Sequence, residues 1–158
     1  MPARTVELRD LPPVPLAVLR RQVAPSDLAR VVPECCGRVW KTLRAQGAHG
    51  GRHVAIYWDG AIRLEAGAEV QGPFTEQDGV VRSATPGGRV AVVTHLGPYG
   101  SLGHAHAAVR EWSQATGHRL AGPNWEIYGH WQDAWNSDPA LIRTDVCYQV
   151  LGVSAPRR

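Results

Sequence analysis

The chain has 158 residues, a formal net charge of +3, 44% hydrophobic and 20% charged residues, a balance that excludes a disordered or low-complexity chain. Its basic residues stand singly or in pairs such as Arg20-Arg21 and Arg157-Arg158; without a basic run or a recognisable nucleic-acid-binding motif, direct nucleic-acid binding is not expected. No stretch approaches about 18 apolar residues, and Met1-Pro2-Ala3-Arg4-Thr5 has no apolar signal core, which predicts a cytoplasmic protein that does not enter membranes.

The first strand signal is Pro15-Leu16-Ala17-Val18-Leu19. Leu28, Val31, Cys35, Val39 and Leu43 then recur at helical spacing. Pro33 interrupts that stripe, so the expectation is a short turn followed by a main helix from about Pro33 to Gln46. Gly47-Ala48-His49-Gly50-Gly51 lacks the Lys-Ser/Thr of a phosphate loop and reads as a hinge into a strand at Val54-Ala55-Ile56-Tyr57. Another strand follows at Glu65–Val70. Gln77-Asp78-Gly79 and Pro86-Gly87-Gly88 are turn signals on either side of Val80-Val81-Arg82-Ser83.

Arg89–Val93 opens a second series. Ser101 after Gly97-Pro98-Tyr99-Gly100 is the expected helix N-cap, Leu102, Ala105, Val109 and Trp112 form the helical stripe, and Gly117 stops it. Asn124-Trp125-Glu126-Ile127-Tyr128-Gly129-His130-Trp131 has strand composition, with Asn124, Glu126, Tyr128 and His130 on one face and Trp125, Ile127 and Trp131 on the other. The last strand is Asp145–Val150. The landmarks repeat: Tyr57 and Tyr128 are separated by almost the same number of positions as Trp40 and Trp112. The chain therefore reads as one domain over 1–158 with pseudo-repeat halves of about 1–76 and 77–158. The fold class is α+β: a strand-helix-strand-strand unit, duplicated, forming a curved, mainly antiparallel sheet with two helices and a cleft between the halves.

Glu126 is the residue with chemical consequence. An acid covered on both faces must find a partner or give up its charge, and an acid walled by aromatic rings suits a flat lipophilic cation. Other chemistries have weaker signals. No Gly-x-Ser-x-Gly elbow is present. Cys35, Cys36 and Cys147 have no zinc or disulfide spacing and read as buried thiols. His104 and His106 are two apart in a helix and cannot share a metal through one face, and no third ligand joins His95 and His130. Neither metal nor cofactor is expected, and the His residues read as ordinary polar side chains. Trp40 and Trp112 read as core, and Trp58, Trp125 and Trp131 as packed under the helices.

Several blocks resemble the GyrI-like (gyrase-inhibitor-like) small-molecule-binding domains: His95-Leu96-Gly97-Pro98-Tyr99, Trp112 in the helix, Gly122-Pro123-Asn124-Trp125-Glu126-Ile127-Tyr128, and Arg143-Thr144-Asp145-Val146. This family includes the effector-binding domains of MerR-type and AraC-type multidrug regulators. The resemblance implies a duplicated fold with Glu126 in a cleft between the halves, meeting cationic or polar aromatic ligands. It further implies ligand contacts by Tyr128, by Tyr99 after the Gly-Pro turn, and by Tyr148 on the last strand. Tyr57 is the first-half equivalent of Tyr128, and Ala55 that of Glu126, so the acid is present in one half only.

The loop 133–139 adds Trp135, which lids the cleft or pins the loop, and Trp131 joins the ligand-binding set if the strand turns near Gly129. With no room for a DNA-binding segment, the expectation is a stand-alone ligand domain for drug or toxin sensing or sequestration. Some stand-alone relatives are associated with hydrolysis of cyclopropane-bearing genotoxins, which makes Glu126 a catalytic candidate in a hydrolase reading. A third reading is a protein-interaction module with a protein partner.

Overall fold

The computed structural model describes residues 5–59 and 63–153; Met1–Arg4 and Arg157-Arg158 lie outside them. In chain order the elements are β1 (Glu7–Leu11), β2 (Pro15–Gln22), α1 (Leu28–Ala45), β3 (His49–Asp59), β4 (Arg63–Gln71), β5 (Val81–Ala84), β6 (Gly88–Leu96), α2 (Gly103–Thr116), β7 (His118–Tyr128), α3 (Ala134–Ser137) and β8 (Arg143–Val153). The strands form one eight-stranded sheet in the order β1-β6-β8-β7-β3-β4-β2-β5, antiparallel at every junction. The units β2-α1-β3-β4 and β6-α2-β7-β8 are the duplicated strand-helix-strand-strand pattern, and they meet where β3 pairs with β7.

Both faces of the sheet are covered even one strand in from each edge, which is why β2 and β6 read as unbroken apolar runs. Ala17 and Leu19 pack with α1, whereas Leu16 and Val18 point to the other face. That other face holds a core of its own: Leu16 and Val18 of β2 cluster with Val90 and Val92 of β6, Val54, Ile56, Trp125 and Cys147. β2 and β6 are far apart in the sheet order yet share this cluster, so the sheet curls around it. α1 and α2 cover the convex face over two separate clusters.

The helices depart from expectation in instructive ways. α1 is continuous from Leu28 and carries Pro33 inside it. The missing N–H is tolerated because Val31, Val32, Cys35, Cys36, Val39 and Leu43 bury one side of the helix, and tertiary packing exceeds the local cost. Ser101 is no N-cap. It sits in a 3-10 turn before α2 and donates to the Pro98 carbonyl at 2.8 Å. Gly117 does end α2, at φ 77°. Asp78 and Gly79 both have positive φ, the backbone a tight hairpin turn requires between Gln77 and Val80.

Four Trp expectations are corrected and a fifth holds in part. Trp40 is 37% exposed, lying on the edge of the α1 stripe against His53. Trp112 is half-buried, packing against the core cluster under α2 and stacking on His118 with ring centroids 4.7 Å apart. Trp125 does face away from Glu126, but the helices cover the Glu126 face, so Trp125 enters the inner core. β7 ends at Tyr128, leaving Trp131 outside the strand and Trp58 half-buried at the margin of the inner core. Among the described residues no helix is long and apolar enough to cross a membrane.

Candidate functional site

Where the two halves meet, the helices diverge over a cavity of about 670 Å³. One wall is α1, through Leu28, Val32 and Cys36; another is the turn into α2, through Tyr99, Leu102 and His106; the floor is β3 and β7, through His53, Tyr57, Glu126 and Tyr128. Pro33 has a consequence here. Lacking an N–H, it cannot serve Ala29, and both residues lie on the cavity wall, so a carbonyl at this wall loses its usual helical donor.

Glu126 is only 6% exposed. Cross-strand register sets it opposite Ala55 on β3 and Val146 on β8, two small or apolar side chains that leave it to reach the helix side. Tyr128 donates to Glu126 Oε1 at 2.6 Å and Tyr57 donates to the same oxygen at 3.3 Å. These two tyrosines are the equivalent positions of the repeat, so the duplicated unit supplies paired donors for an acid present once. Burial and the nearby Glu126 charge push both phenols well above their ordinary range, which keeps them protonated and donating.

The second carboxylate oxygen meets a residue that spacing alone dismissed. His106 Nε2 lies 2.6 Å from Glu126 Oε2, and its Nδ1 lies 2.6 Å from the Tyr148 hydroxyl. Arg110 Nη1 donates to that hydroxyl at 3.5 Å. His106 thus bridges the two residues, its Nε2–H donating to the Glu126 carboxylate and its Nδ1 sharing a hydrogen bond with the Tyr148 hydroxyl. His106 is the fourth residue after buried Leu102, so it flanks the stripe that docks on the sheet, while His104 is exposed. The helical period held that signal; the pairing of α2 over β7 did not show in the sequence.

The other candidates separate by position. Tyr99 is 44% exposed and meets Tyr128 edge-on at 5.6 Å. Its turn is fixed by Ser101, whose Oγ is 3.1 Å from His95 Nε2. Tyr148 stands behind His106 and is absent from the cavity lining. Trp135 is buried against Trp131, with ring centroids 5.3 Å apart; it too lies off the lining. Trp131 is exposed and borders a second, smaller cavity with Tyr99 and Tyr128. Among the described residues, no group of three or more His, Cys, Asp or Glu side chains is placed to hold a metal ion.

Cys36 lines the main cavity, and burial pushes its thiol up to about 12. At pH 8 almost none is thiolate, so iodoacetamide is expected to leave Cys36 unmodified in the folded protein and to label it readily in denaturant. Peptide mass spectrometry reads this directly; rapid labelling of the native protein would contradict the buried-thiol environment.

The fold has clear relatives. The C-terminal domain of EcmrR superposes with a TM-score of 0.77 at 21% identity, covering 95% of this chain and 99% of that domain. The same protein in its DNA complex is matched over 59% of its length. SAV2435, solved bound to tetraphenylphosphonium, gives a TM-score of 0.71 at 12% identity and 94% coverage of each chain. A hydrolase from Listeria innocua gives 0.57 at 14% identity, with 95% of this chain and 93% of that one covered. No curated protein sequence matches significantly. The sequence pattern of the GyrI-like small molecule binding domain matches residues 4–151, and with the duplicated sheet, the two helices and the cleft between them, this chain belongs to that family.

Proposed function

We propose that this chain binds a lipophilic, cationic aromatic small molecule in the cavity lined by Glu126, as a device for drug or toxin sensing or sequestration. The observation that carries the reading is the buried Glu126 carboxylate, held in the cavity floor by two tyrosine hydroxyls and one imidazole. Among the described residues its ion-pair partner is His106 alone, and that imidazole is held in turn by the Tyr148 hydroxyl. The acid stands in the floor of a cavity walled by Leu28, Val32, Leu102 and tyrosine rings. A cation shedding water there gains attraction from the carboxylate and the ring faces together. Tyr57, Tyr99 and Tyr128 act as walls, while Tyr148 supports the lining from behind through His106. The binding of tetraphenylphosphonium by SAV2435, a structural relative, agrees with this ligand class.

The test is intrinsic Trp fluorescence during titration with methyltriphenylphosphonium and with its neutral analogue triphenylphosphine oxide. Saturable quenching by the cation at concentrations at least tenfold lower is the expected outcome; equal responses to the two would sink the reading.

A hydrolytic reading gains from one observation, the His106 contact. Glu126 can accept a proton from water as the water oxygen bonds to a cyclopropane carbon. The ring C–C bond breaks, its electron pair goes to the departing carbon, and that carbon takes the proton back from Glu126, while His106 at 2.6 Å fixes the orientation of the carboxylate. The test is incubation with a cyclopropane-bearing electrophile. Ring-opened, water-added product that forms with wild type and not with Glu126→Gln supports turnover; its absence from both leaves binding alone.

A further inference from the structure

Beside the acidic cavity lies a second one of about 320 Å³, bordered by Trp40, His53, Tyr99, Tyr128, His130 and Trp131. It shares His53, Tyr99 and Tyr128 with the first, so the two adjoin across the Tyr99–Tyr128 pair. The exposed large hydrophobic side chains of the described residues are Trp40, Leu96, Tyr99, Trp131, Leu141 and Leu151. All three aromatics among them converge on this one recess. Exposed indole faces cost apolar surface that folding normally removes from water, and such convergence marks a binding surface.

These rings are uncovered but held in place. Trp131 Nε1 donates to Asn136 Oδ1 at 3.1 Å, and its ring meets the buried Trp135 edge-on. Trp135 in turn lies against a bare backbone: a Cβ on Gly129 would come within 3.1 Å of its ring and 3.0 Å of the Arg143 carbonyl. Trp40 packs the same way, 2.9 Å from where a Gly50 Cβ would be, and meets His53 edge-on at 5.9 Å. Burial, with His130 nearby, holds His53 below its ordinary range, so near neutral pH that imidazole adds no positive charge. The recess thus offers pre-positioned ring faces and repels no cation through His53.

Resting on the cationic-ligand reading above, we propose that this recess is a second aromatic subsite, and that the natural ligand class is a cation bearing two separated aromatic groups. The charged end and first ring occupy the Glu126 cavity, and the second ring lies against Trp40 and Trp131. Rings held before binding lose little rotamer freedom on contact, so their full contact energy contributes to affinity.

The experiment is calorimetric titration with benzyltrimethylammonium and its biphenyl-4-ylmethyl homologue, which carries the same charge and one more ring in line. Trp131→Ala and Trp40→Ala are each expected to weaken the two-ring cation roughly three- to tenfold, the scale of one aromatic pair, and to leave the one-ring cation within about twofold. Trp131→Phe, which keeps a ring, is expected to restore most of the loss and controls for local collapse. Equal weakening of both cations by the Trp variants, or no weakening of either, overturns the subsite. Glu126→Gln separates the two ideas: it is expected to weaken both cations, and if it weakens neither while wild type binds, the acidic-site reading fails by itself. Wild type that binds neither cation overturns both.

Discussion

Glu126→Gln is expected to weaken binding of a desolvated aromatic cation by about 2–5 kcal/mol, the cost of removing one partner from a buried charge pair. The corresponding loss in affinity runs from roughly thirtyfold to several thousandfold. A neutral ligand of the same shape should change by no more than about twofold, because Gln preserves the volume and outline of the side chain. Stability should change little. The amide oxygen can accept from Tyr128 and Tyr57 as Oε1 does now. The amide N–H then faces His106, which can turn its Nε2 into an acceptor by moving its proton to Nδ1, with Tyr148 oxygen as the new acceptor. The network is thus able to re-pair around an amide, and only the charge is lost. A matched thermal melt with a large drop in cation affinity is the expected pair of results. Unchanged cation affinity would mean that the carboxylate is not the receptor.

The sequence and the structure agree most closely where a local pattern carried the information. The repeat is visible because Tyr57 and Tyr128 lie near the ends of equivalent strands, and strand alternation sets Glu126 and Tyr128 on a common face. That face is the convex one under the helices, and alternation by itself could not say so. Both faces of this sheet are apolar, since β2 and β6 send alternate residues into two different cores, so no polar side marked the solvent.

The curl that brings β2 to β6 depends on long-range closure and leaves no local trace, which is why Trp125 was expected under a helix. Pro33 misled for the opposite reason. A strong local signal was overridden by the six buried residues of α1. His106 needed a question that spacing arguments omit: which of two helical His residues faces the sheet, and what stands opposite it there. Leu102, Ala105 and Val109 answer the first part, and only the docking of α2 over β7 answers the second.

Gly67→Ala tests how tightly β2 is seated against β4, and its expected effect is large. Gly67 lies in β4, paired to Val18 on one side and Val54 on the other. A Cβ there would stand 1.9 Å from the Ala17 carbonyl oxygen and 2.9 Å from the Val18 Cα. Both are backbone atoms, so no side chain can rotate away, and β2 would have to move. It cannot do so cheaply, because Leu16 and Val18 are embedded in the inner core while Ala17 and Leu19 are embedded beneath α1. Displacing β2 also loosens β5, which pairs with it.

A loss of about 4 kcal/mol is expected, at the upper end of single substitutions, which lowers the melting temperature by roughly 8–16 °C in a chain of this size. The control is the same chemical change elsewhere. A Cβ on Gly37, within α1, meets nothing within 4 Å, so Gly37→Ala is expected to stabilise by about 0.5–1 kcal/mol through helix propensity. Thermal denaturation followed by circular dichroism compares the two. Opposite signs locate the constraint in the close pairing of β2 beside β4; a Gly67→Ala protein that melts with wild type would show that the strands do not approach so closely.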